Sequence, residues 1–524
     1  MNKFQGKKRN VIILLVICII QLAISLFWAS QKNYLFFDEV FSFQAANTAR
    51  AERVEFLENE WMDESWYISF MGVDEADIFD YSIPFNNQIA DVHPPLYYMF
   101  LHTACSLVPG EVSFIAGIGV NILFFLGCTI ILYFLAKETF GKREIALLIV
   151  FLYAISYGGL NTMIYTRMYM LLTLMTLLHA WVYIKYMEQE NVPIIGYIFL
   201  ALTLLGGVLS QYYFLFIAFF YGVWYTVKFF IEKKYQVLWK YLATIIVSAA
   251  ASLAIWPAML THLFSGNRGE EAAGNLLSFD GYFAGLKEMF RILNNDMFTK
   301  LLPVILLGIL FILIICMKKG FRLNLVDYKK SFVILFVCAG YFLLVTKVAP
   351  YQVDRYVMPI YPMIYMLVIG VVYVLLEKLI PARFAVTLCV VGFGGLSAVH
   401  MVHSGIPYTY AKNQDNIERW AVVEEYKDNY ALYISDDRGA HYYDAVQMLK
   451  EYKGYYYVFD LNTVEKTKSD MQIVEEDVLV YVKNTRTLEE ADTFVKKVFE
   501  GQSLTEDNLL DQDEKWSVYL IEKN

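Results

Sequence analysis

Two acidic residues, Asp38 and Glu39, follow directly on the first long apolar stretch of the chain. An ionisable side chain held against lipid costs roughly 3 kcal/mol on insertion scales, so residues in that position are candidates for function. If both lie on a helix, their side chains point about 100° apart, and one carboxylate can face a cavity while the other faces elsewhere. We expect Asp38 to face inward and act as a general base toward a hydroxyl, and we keep Glu39 as a second catalytic candidate. The alternative is a solvated acid at a helix end.

An aspartate and a histidine precede two prolines in Asp91-Val92-His93-Pro94-Pro95. Proline is favoured at the first helical position, and the residue before a proline is held extended, so the motif predicts a helix start with His93 turned away from it. His93 could hydrogen-bond an acceptor or a phosphate, ligate a divalent cation together with Asp91, or act as a structural cap. Two ligand types two residues apart are a weak metal signal. We therefore assign no metal site and leave a divalent cation open.

Two arginines, Arg167 and Arg355, stand at the outer ends of predicted membrane spans, at the same depth as Asp38. A guanidinium group suits a phosphate at such a depth because it holds two oxygens with a rigid fork and is weakly hydrated. Snorkelling, or an ion pair such as that of Arg355 with Asp354, is the alternative.

Tyrosines accompany these charged residues. Tyr212 and Tyr213, at the outer start of the sixth span, either belong to an aromatic belt at the membrane interface or contact a sugar. Tyr169 and Tyr356, close in sequence to the two arginines, are kept as further substrate-binding candidates.

The composition predicts that a membrane framework positions these side chains. Of the 524 residues, 58% are hydrophobic, and the mean hydropathy is +0.43, whereas soluble domains are about 45–50% apolar. Stretches long enough to cross about 30 Å of hydrocarbon predict an α-helical polytopic protein with about 11 spans. They lie near residues 11–29, 114–136, 145–160, 164–184, 194–209, 212–231, 241–256, 301–316, 331–346, 356–376 and 384–402.

The basic residues orient these spans. Lys and Arg in short loops stay on the cytoplasmic side, so the basic N-terminus lies inside and the remaining loops alternate without inverting any span. This requires residues 94–109 to form an interfacial or re-entrant helix rather than a span. We therefore expect a multi-pass cell-membrane protein with a cytoplasmic N-terminus, an extracytoplasmic site and an extracytoplasmic tail.

Charge and cysteine usage restrict the partners. Acidic residues outnumber basic ones in residues 30–92 and 404–524, which argues against nucleic acid because phosphate binding needs clustered Lys and Arg. All six cysteines lie in apolar segments, and an outer domain without disulfides is more common on bacterial surfaces. No phosphate-loop or dinucleotide fingerprint is present. A lipid-linked phosphate donor is therefore the economical inference.

The sequence predicts a membrane domain at residues 1–403 and a small soluble α/β domain at residues 404–524. Residues 30–110 form a long outer loop with interfacial helices, and residues 257–300 form a second outer loop whose glycines suggest a mobile lid. In the tail, helical patterns at about 439–451 and 488–500 fall between strand-like runs. These runs are Tyr430–Ile434, Tyr455–Phe459, Val478–Val482 and Val518–Ile521.

Taken in order, these motifs resemble the polyprenyl-phosphate-dependent glycosyltransferases of GT-C fold. More narrowly, they resemble bacterial members of glycosyltransferase family 39, related to protein O-mannosyltransferases and aminoarabinose transferases. The resemblance covers roughly residues 30–362. It rests on Asp-Glu after the first span, His-Pro-Pro-Leu-Tyr-Tyr closing the first outer loop, Arg-Met-Tyr on the fourth span, Tyr-Tyr-Phe-Leu-Phe on the sixth and Arg-Tyr-Val-Met-Pro on the tenth.

The resemblance implies an inverting enzyme that passes a sugar from a polyprenyl phosphate to a hydroxyl-bearing acceptor at the outer face. It also implies that Asp38 is the catalytic acidic residue, that the His93 segment lines the site, and that Arg355 and Arg167 face the lipid phosphate. One departure is Tyr165, where many relatives have glutamate two residues before the arginine of Arg-Met-Tyr. The tail after residue 404 matches no module that we can name.

Three other functions stay open on the sequence. A transporter or lipid flippase would place charged residues along a translocation path, whereas the charged candidates here gather at one face. A glycan polymerase or ligase would share the outer site and use a lipid diphosphate. A non-catalytic membrane scaffold would make Asp38 dispensable.

Overall fold

The computed structural model describes residues 2–49, 57–320, 328–436 and 440–523. The chain forms two compact units. The membrane unit contains Met1–Ser30, Gln88–Phe100 and Ile118–Ile406, and the loop–tail unit contains Gln31–Asn87, Leu101–Gly117 and Pro407–Asn524. Most of the first outer loop is thus grouped with the tail. The domain boundaries at residues 403 and 404 stay a prediction.

Helices dominate the chain before the tail. They are α1 (Asn2–Ala29), α2 (Phe37–Asn47), α3 (Glu64–Met71), α4 (Ser82–Ile89), α5 (Leu96–Cys105), α6 (Phe114–Phe140), α7 (Arg143–Ala154), α8 (Tyr157–Ile164), α9 (Tyr169–Val182), α10 (Ile194–Ser210), α11 (Phe214–Ile231), α12 (Tyr235–Ile255), α13 (Ala258–Phe264), α14 (Asn267–Leu277), α15 (Tyr282–Phe298), α16 (Leu302–Lys318), α17 (Lys329–Val348), α18 (Tyr361–Leu376), α19 (Ala382–Cys389) and α20 (Gly395–Ser404). A π-helical turn, Val390–Gly394, joins α19 to α20.

Eight helical segments of the described residues are long and apolar enough to cross a membrane. Two further candidate spans are bent pairs, α7 with α8 at 53° and α15 with α16 at 73°. Helix α10 is apolar and 17 residues long, which is about 25 Å at 1.5 Å per residue. Each of the predicted apolar stretches therefore has its helix. The predicted class, an α-helical polytopic membrane protein with a small C-terminal sheet region, is confirmed.

Lipid contact explains which apolar residues stay exposed. Only 17% of the apolar window of α1 is buried, against 72% for the segment that begins with α9. Leu15, Ile19 and Phe27 of α1 are exposed, a pattern that would be unfavourable in water and is expected for a helix surrounded by hydrocarbon. Helix α9 is correspondingly among the central helices of the membrane unit.

The bend between α7 and α8 has a local cause. Ser156 Oγ accepts a hydrogen bond from the Gly159 backbone N–H at 3.1 Å, which caps a new helix instead of continuing the old one. Gly158 then lets α8 approach α15, because a Cβ at that position would lie 2.4 Å from Met297 Sδ and 3.2 Å from the Asp296 carbonyl oxygen. The bent span is therefore packed closely against a second bent span.

The loop–tail unit is built on a six-stranded sheet of order β1-β3-β2-β4-β6-β5. Strand β2 pairs in parallel with β3 and β4, which requires crossover connections. The predicted strands and helices of the tail are confirmed, whereas β1, β5, α21 and α23 were not predicted. The elements are β1 (Trp61–Met62), α21 (Gln414–Tyr426), β2 (Tyr430–Ile434), α22 (Ala440–Leu449), β3 (Gly454–Val458), α23 (Val464–Met471), β4 (Val478–Lys483), α24 (Leu488–Val498), β5 (Leu509–Gln512) and β6 (Trp516–Ile521).

The edge strand β1 comes from the first outer loop. Trp61 pairs with Tyr456 and Met62 with Tyr455 in antiparallel register. The Trp61 ring also contacts the rings of Tyr430 and Tyr456, with centroids 5.1 and 5.3 Å apart. The sheet of the tail is thus completed by a segment almost 400 residues earlier in the chain.

The two outer loops contain helices. Residues 94–109 give α5, whose 10 residues are too short to cross about 30 Å of hydrocarbon, in line with the predicted interfacial or re-entrant helix. In the second outer loop, residues 257–300, lie α13, α14 and α15. Gly269 and Gly274, which suggested mobility, lie within α14. A lid function for this loop stays a prediction.

Candidate functional site

Arg167 lies in a short break between helices α8 and α9 of the membrane unit. Asn121 of α6 donates its side-chain amide to the carbonyl oxygens of Met163 and Tyr165, at 3.1 and 2.7 Å. Carbonyls at the end of a helix have no partner within it, so this amide closes the end of α8. The Arg167 side chain is largely buried, with 6% exposed. A charged side chain is therefore held at a fixed break in the backbone.

Hydroxyl groups and one carboxylate surround Arg167. Its Nη1 donates to the Tyr98 hydroxyl at 3.3 Å. Burial opposes the charge, but three neighbouring tyrosines and the Asp91 carboxylate outweigh burial and raise the pKa of Arg167. These tyrosines are Tyr98, Tyr165 and Tyr169. Because the guanidinium stays charged in a site of low dielectric constant, its attraction for an anion is stronger than in water.

Asp91 and His93 form a pair in the structure. Asp91 Oδ2 and His93 Nδ1 are 2.8 Å apart, and the two side chains are 42% and 20% exposed. Burial raises the pKa of Asp91, but His93, and then Arg167, lower it to a net value of about 2. Asp91 is therefore a carboxylate near neutral pH and can accept hydrogen bonds from hydroxyl groups. Helix α5 begins at Leu96, directly after the two prolines that predicted it.

Arg355 lies in a single 3₁₀ turn, Asp354–Tyr356, just before α18. The Asp354 carboxylate accepts a hydrogen bond from the Arg355 backbone N–H at 2.8 Å and another from Asn161 Nδ2 at 3.1 Å. Arg355 Nη1 donates to the Tyr165 hydroxyl at 3.3 Å. The turn is thus tied twice to the end of α8, through its carboxylate and through its guanidinium.

Both arginines are consequently held by one segment, the break between α8 and α9. Tyr165, which accepts from Arg355, belongs to the same break as Arg167, and its ring stacks on Tyr169 with centroids 5.9 Å apart. Tyr356 packs edge-on against Tyr213 at 5.1 Å. The structure therefore brings Asp91, His93, Arg167, Tyr169, Tyr213, Arg355 and Tyr356 into one connected cluster of the membrane unit.

Tyr212 belongs to a hydrogen-bonded network that the sequence did not reveal. Trp256 Nε1 donates to the Tyr212 hydroxyl at 2.9 Å, and that hydroxyl lies 2.8 Å from His262 Nδ1. His262 Nε2 donates to the Ile89 carbonyl oxygen at 3.2 Å, because a carbonyl can only accept. The only sequence signal was Trp256-Pro257 at the end of the seventh span. The network fixes α13 close to the segment that leads to Asp91.

An apolar cavity of about 500 Å³ lies among α10, α11 and α12. Met259 of α13 forms part of its lining, and the Met259 backbone N–H donates to the Trp256 carbonyl oxygen at 3.2 Å. The cavity is therefore adjacent to the Tyr212 network at one end. Its other lining residues include Leu204, Val208, Leu215, Phe219, Val223, Val227, Ile245, Ser248 and Ser252.

Asp38 and Glu39 lie in the loop–tail unit, in the first turn of α2. Glu39 is fully buried, and both of its oxygens contact Lys32 Nζ, at 3.0 and 2.9 Å. The same carboxylate accepts from the Phe36 backbone N–H at 2.9 Å. Asp38 is only partly buried, and its carbonyl oxygen accepts from Ser42 Oγ at 3.1 Å. The two neighbouring acids thus have different environments, and their catalytic roles stay predictions.

Among the residues that the structure describes, no group of three or more His, Cys, Asp and Glu side chains is arranged to hold a metal ion. Asp91 and His93 alone supply two such ligands.

Neither a protein-family model nor a curated protein matches this chain. Solved structures do match. ArnT from Cupriavidus metallidurans in the apo state covers 99% of this chain and 98% of its own, with a TM-score of 0.51 and 9% identity. The chain has a GT-C fold. This confirms the fold that the ordered motifs implied, and at such low identity the likeness concerns the fold alone.

Two further solved structures are similar. ArnT from Cupriavidus metallidurans bound to undecaprenyl phosphate covers 97% of each chain, with a TM-score of 0.52 and 10% identity. The archaeal oligosaccharyltransferase AglB from Archaeoglobus fulgidus, in complex with an inhibitory peptide and a dolichol-phosphate, covers 94% of this chain and 71% of its own. Its TM-score is 0.40 and its identity 10%.

Proposed function

We propose that this protein is a membrane glycosyltransferase that transfers a sugar from a polyprenyl-phosphate-linked donor to a hydroxyl-bearing acceptor on the outer face of the membrane. The observation that carries the proposal is that one short segment, the break after α8, holds both arginines. It contains Arg167, and its Tyr165 hydroxyl accepts a hydrogen bond from Arg355. Two guanidinium groups with fixed neighbours suit a phosphate that carries negative charge at the edge of a membrane.

The donor's lipid part also has a candidate place. A polyprenyl chain needs apolar surroundings, and the cavity among α10, α11 and α12 is lined mainly by apolar side chains. A GT-C neighbour solved with undecaprenyl phosphate supports this class of ligand. The identity of the sugar stays open.

In the proposed reaction, Asp38 accepts the proton of the acceptor hydroxyl while that oxygen attacks the anomeric carbon with inversion. The bond from the anomeric carbon to the phosphate oxygen breaks, and the phosphate leaves without needing a proton. Arg355 and Arg167 stabilise the negative charge that the phosphate gains. The Asp91 carboxylate and the tyrosine hydroxyls are suited to hydrogen bonds with sugar hydroxyl groups.

The test is transfer by the full chain, purified and reconstituted in lipid. Polyprenyl-phosphate hexoses are offered as donors together with hydroxyl-bearing acceptors. We expect turnover by the wild type and a loss of about 10²- to 10⁴-fold in kcat for Asp38→Asn, the range typical of a general base. Glu64→Gln, an exposed acid of the same loop, serves as the matched control and should retain activity.

Other outcomes would identify the rivals. Activity only with polyprenyl-diphosphate donors would indicate a polymerase or ligase. Movement of labelled lipid between leaflets without transfer would indicate a flippase. Transfer that survives Asp38→Asn unchanged would remove Asp38 from the proposed role.

A further inference from the structure

The segment between α1 and α2 is held by side chains and backbone of the tail. Gln447 of α22 binds Leu35 twice: its Oε1 accepts from the Leu35 N–H at 2.8 Å, and its Nε2 donates to the Leu35 carbonyl oxygen at 2.8 Å. Both residues are buried. A side-chain amide here takes the place of a neighbouring strand, satisfying both polar groups of one residue.

Three more residues of the segment contact the start of the tail. Lys32 Nζ donates to the Tyr408 carbonyl oxygen at 2.6 Å. The Asn33 backbone N–H donates to the Thr409 carbonyl oxygen at 3.2 Å, and Asn33 Oδ1 accepts from Asn416 Nδ2 at 3.0 Å. A fourth contact is aromatic, with the Tyr34 and Tyr410 rings 5.2 Å apart.

The same contacts continue into α2. Lys32 joins the tail carbonyl to the Glu39 carboxylate, and that carboxylate caps the Phe36 N–H at the start of the helix. Asp38 is the residue before Glu39. Lys32 and Glu39 side chains are both 0% exposed, so neither can reach water if its partner is removed, and leaving either charge alone would be costly.

We propose that the C-terminal part of the chain positions Asp38, with Gln447 and the Lys32–Glu39 ion pair as the positioning residues. This rests on the proposed catalytic role of Asp38. Glu39 then acts through the orientation of α2 and not on the substrate. The proposal gives the tail a part in catalysis, although none of its strands or helices has to touch a reacting atom.

One experiment tests the two hydrogen bonds between Gln447 and Leu35, using the full chain in lipid. We expect Gln447→Leu to lower kcat by about tenfold to 100-fold, because small displacements of a catalytic group have effects of that size, while the KM for the polyprenyl-phosphate hexose changes little. Amide hydrogen exchange in peptides covering residues 33–40 should become faster, because the Leu35 N–H loses its acceptor. Gln472→Leu, an exposed glutamine of the same unit, should change neither quantity.

A second experiment separates positioning from catalysis at Glu39. Glu39→Gln alone leaves Lys32 buried without a carboxylate, and we expect kcat to fall by about tenfold or more. Lys32→Met/Glu39→Gln removes both charges, and glutamine keeps an acceptor for the Phe36 N–H. We expect the double variant to keep the wild-type pH profile and to recover part of the kcat that Glu39→Gln loses, because no buried charge is left unpaired. Its kcat should stay below that of the wild type, because the contact with the Tyr408 carbonyl oxygen is lost.

The outcomes are distinct. A double variant as inactive as Asp38→Asn would show that Glu39 acts on substrate and would overturn the proposal. Unchanged exchange at residues 33–40 in Gln447→Leu would overturn it as well, and this measurement needs no turnover. Absence of transfer by the wild type would instead contradict the proposed function.

Discussion

Arg355 is the side chain in which charge and geometry can be separated most cleanly. Lysine keeps the positive charge but lacks the planar fork that holds two phosphate oxygens and that reaches Tyr165. We expect Arg355→Lys to lower kcat/KM for the lipid-linked donor by about 100-fold, a size typical of losing a donor that stabilises charge in the transition state. Steady-state kinetics of the protein in lipid measures this change in kcat/KM. Arg291→Lys, exposed and paired with Glu288 on one helix, is the control, and equal effects of the two substitutions would contradict a phosphate role.

Asp91 offers a test of electrostatics that does not need substrate. Its pKa is lowered from the ordinary value of 3.8 to about 2, so the ionised form favours the folded state. That contribution is present above pH 3.8 and is lost as the pH falls toward about 2. We expect the gap in Tm between the wild type and Asp91→Asn to narrow as the pH is lowered from about 5 to about 2. A gap that widened on acidification would contradict the ion pair with His93.

At the scale of elements, the tie between α8 and the turn before α18 can be cut without touching either arginine. Asn161→Ala removes the amide that donates to Asp354. We expect the KM for the donor to rise by about tenfold, because the turn that carries Arg355 loses one of its two described contacts with the end of α8. Asn191→Ala, at an exposed position of the same unit, is the control. An unchanged KM would mean that the hydrogen bond from Asn161 is not needed to hold Arg355 in place.

A second prediction at this scale concerns the close packing of two spans, α6 and α18. A Cβ on Gly370 of α18 would lie 2.1 Å from the ring of Phe140 at the end of α6, whereas a Cβ on Gly119 of α6 would meet nothing within 4 Å. We expect Gly370→Ala to lower the free energy of unfolding by about 1–3 kcal/mol, and Gly119→Ala to leave it unchanged or raise it, because alanine favours helix. Thermal unfolding in detergent measures the free energy of unfolding of both variants. Equal changes in the two would contradict the close contact between Gly370 and Phe140.

The sequence predicted elements whose signal is local. The length of each apolar stretch predicted the membrane spans, and short runs rich in β-branched residues and tyrosine predicted β2, β3, β4 and β6. Strand β1 has two residues, too few for a periodic pattern, and its partner is about 400 residues away. The Tyr212 network was missed for the same reason, since its groups meet only through the packing of α12, α13 and the segment before Asp91. Local patterns cannot encode such contacts.

For the whole molecule, the pairing of β1 with β3 constrains how the chain threads the membrane. Residues that share one sheet lie on the same side of the bilayer, so the chain between Met62 and Tyr455 must cross it an even number of times. The candidates between them are seven of the eight long segments, the two bent pairs and α10. If each of these segments spans and α5 does not, the count is ten, which is even and agrees with the orientation that the basic loops predicted.

This threading can be tested with a thiol reagent that does not cross membranes. Five of the six native cysteines are buried and Cys18 is half-buried, so background labelling should be low. We expect Glu64→Cys in the first loop and Glu506→Cys in the tail to be labelled in intact cells. Lys319→Cys, between α16 and α17, should be labelled only after the membrane is opened.

If Glu64→Cys and Glu506→Cys behaved differently, the shared sheet would be contradicted. If Lys319→Cys were labelled together with them, one of the spans before it, such as α10, would not cross. Arg167, Tyr212 and Arg355 would then no longer all lie at one face, and a single phosphate site would lose its support.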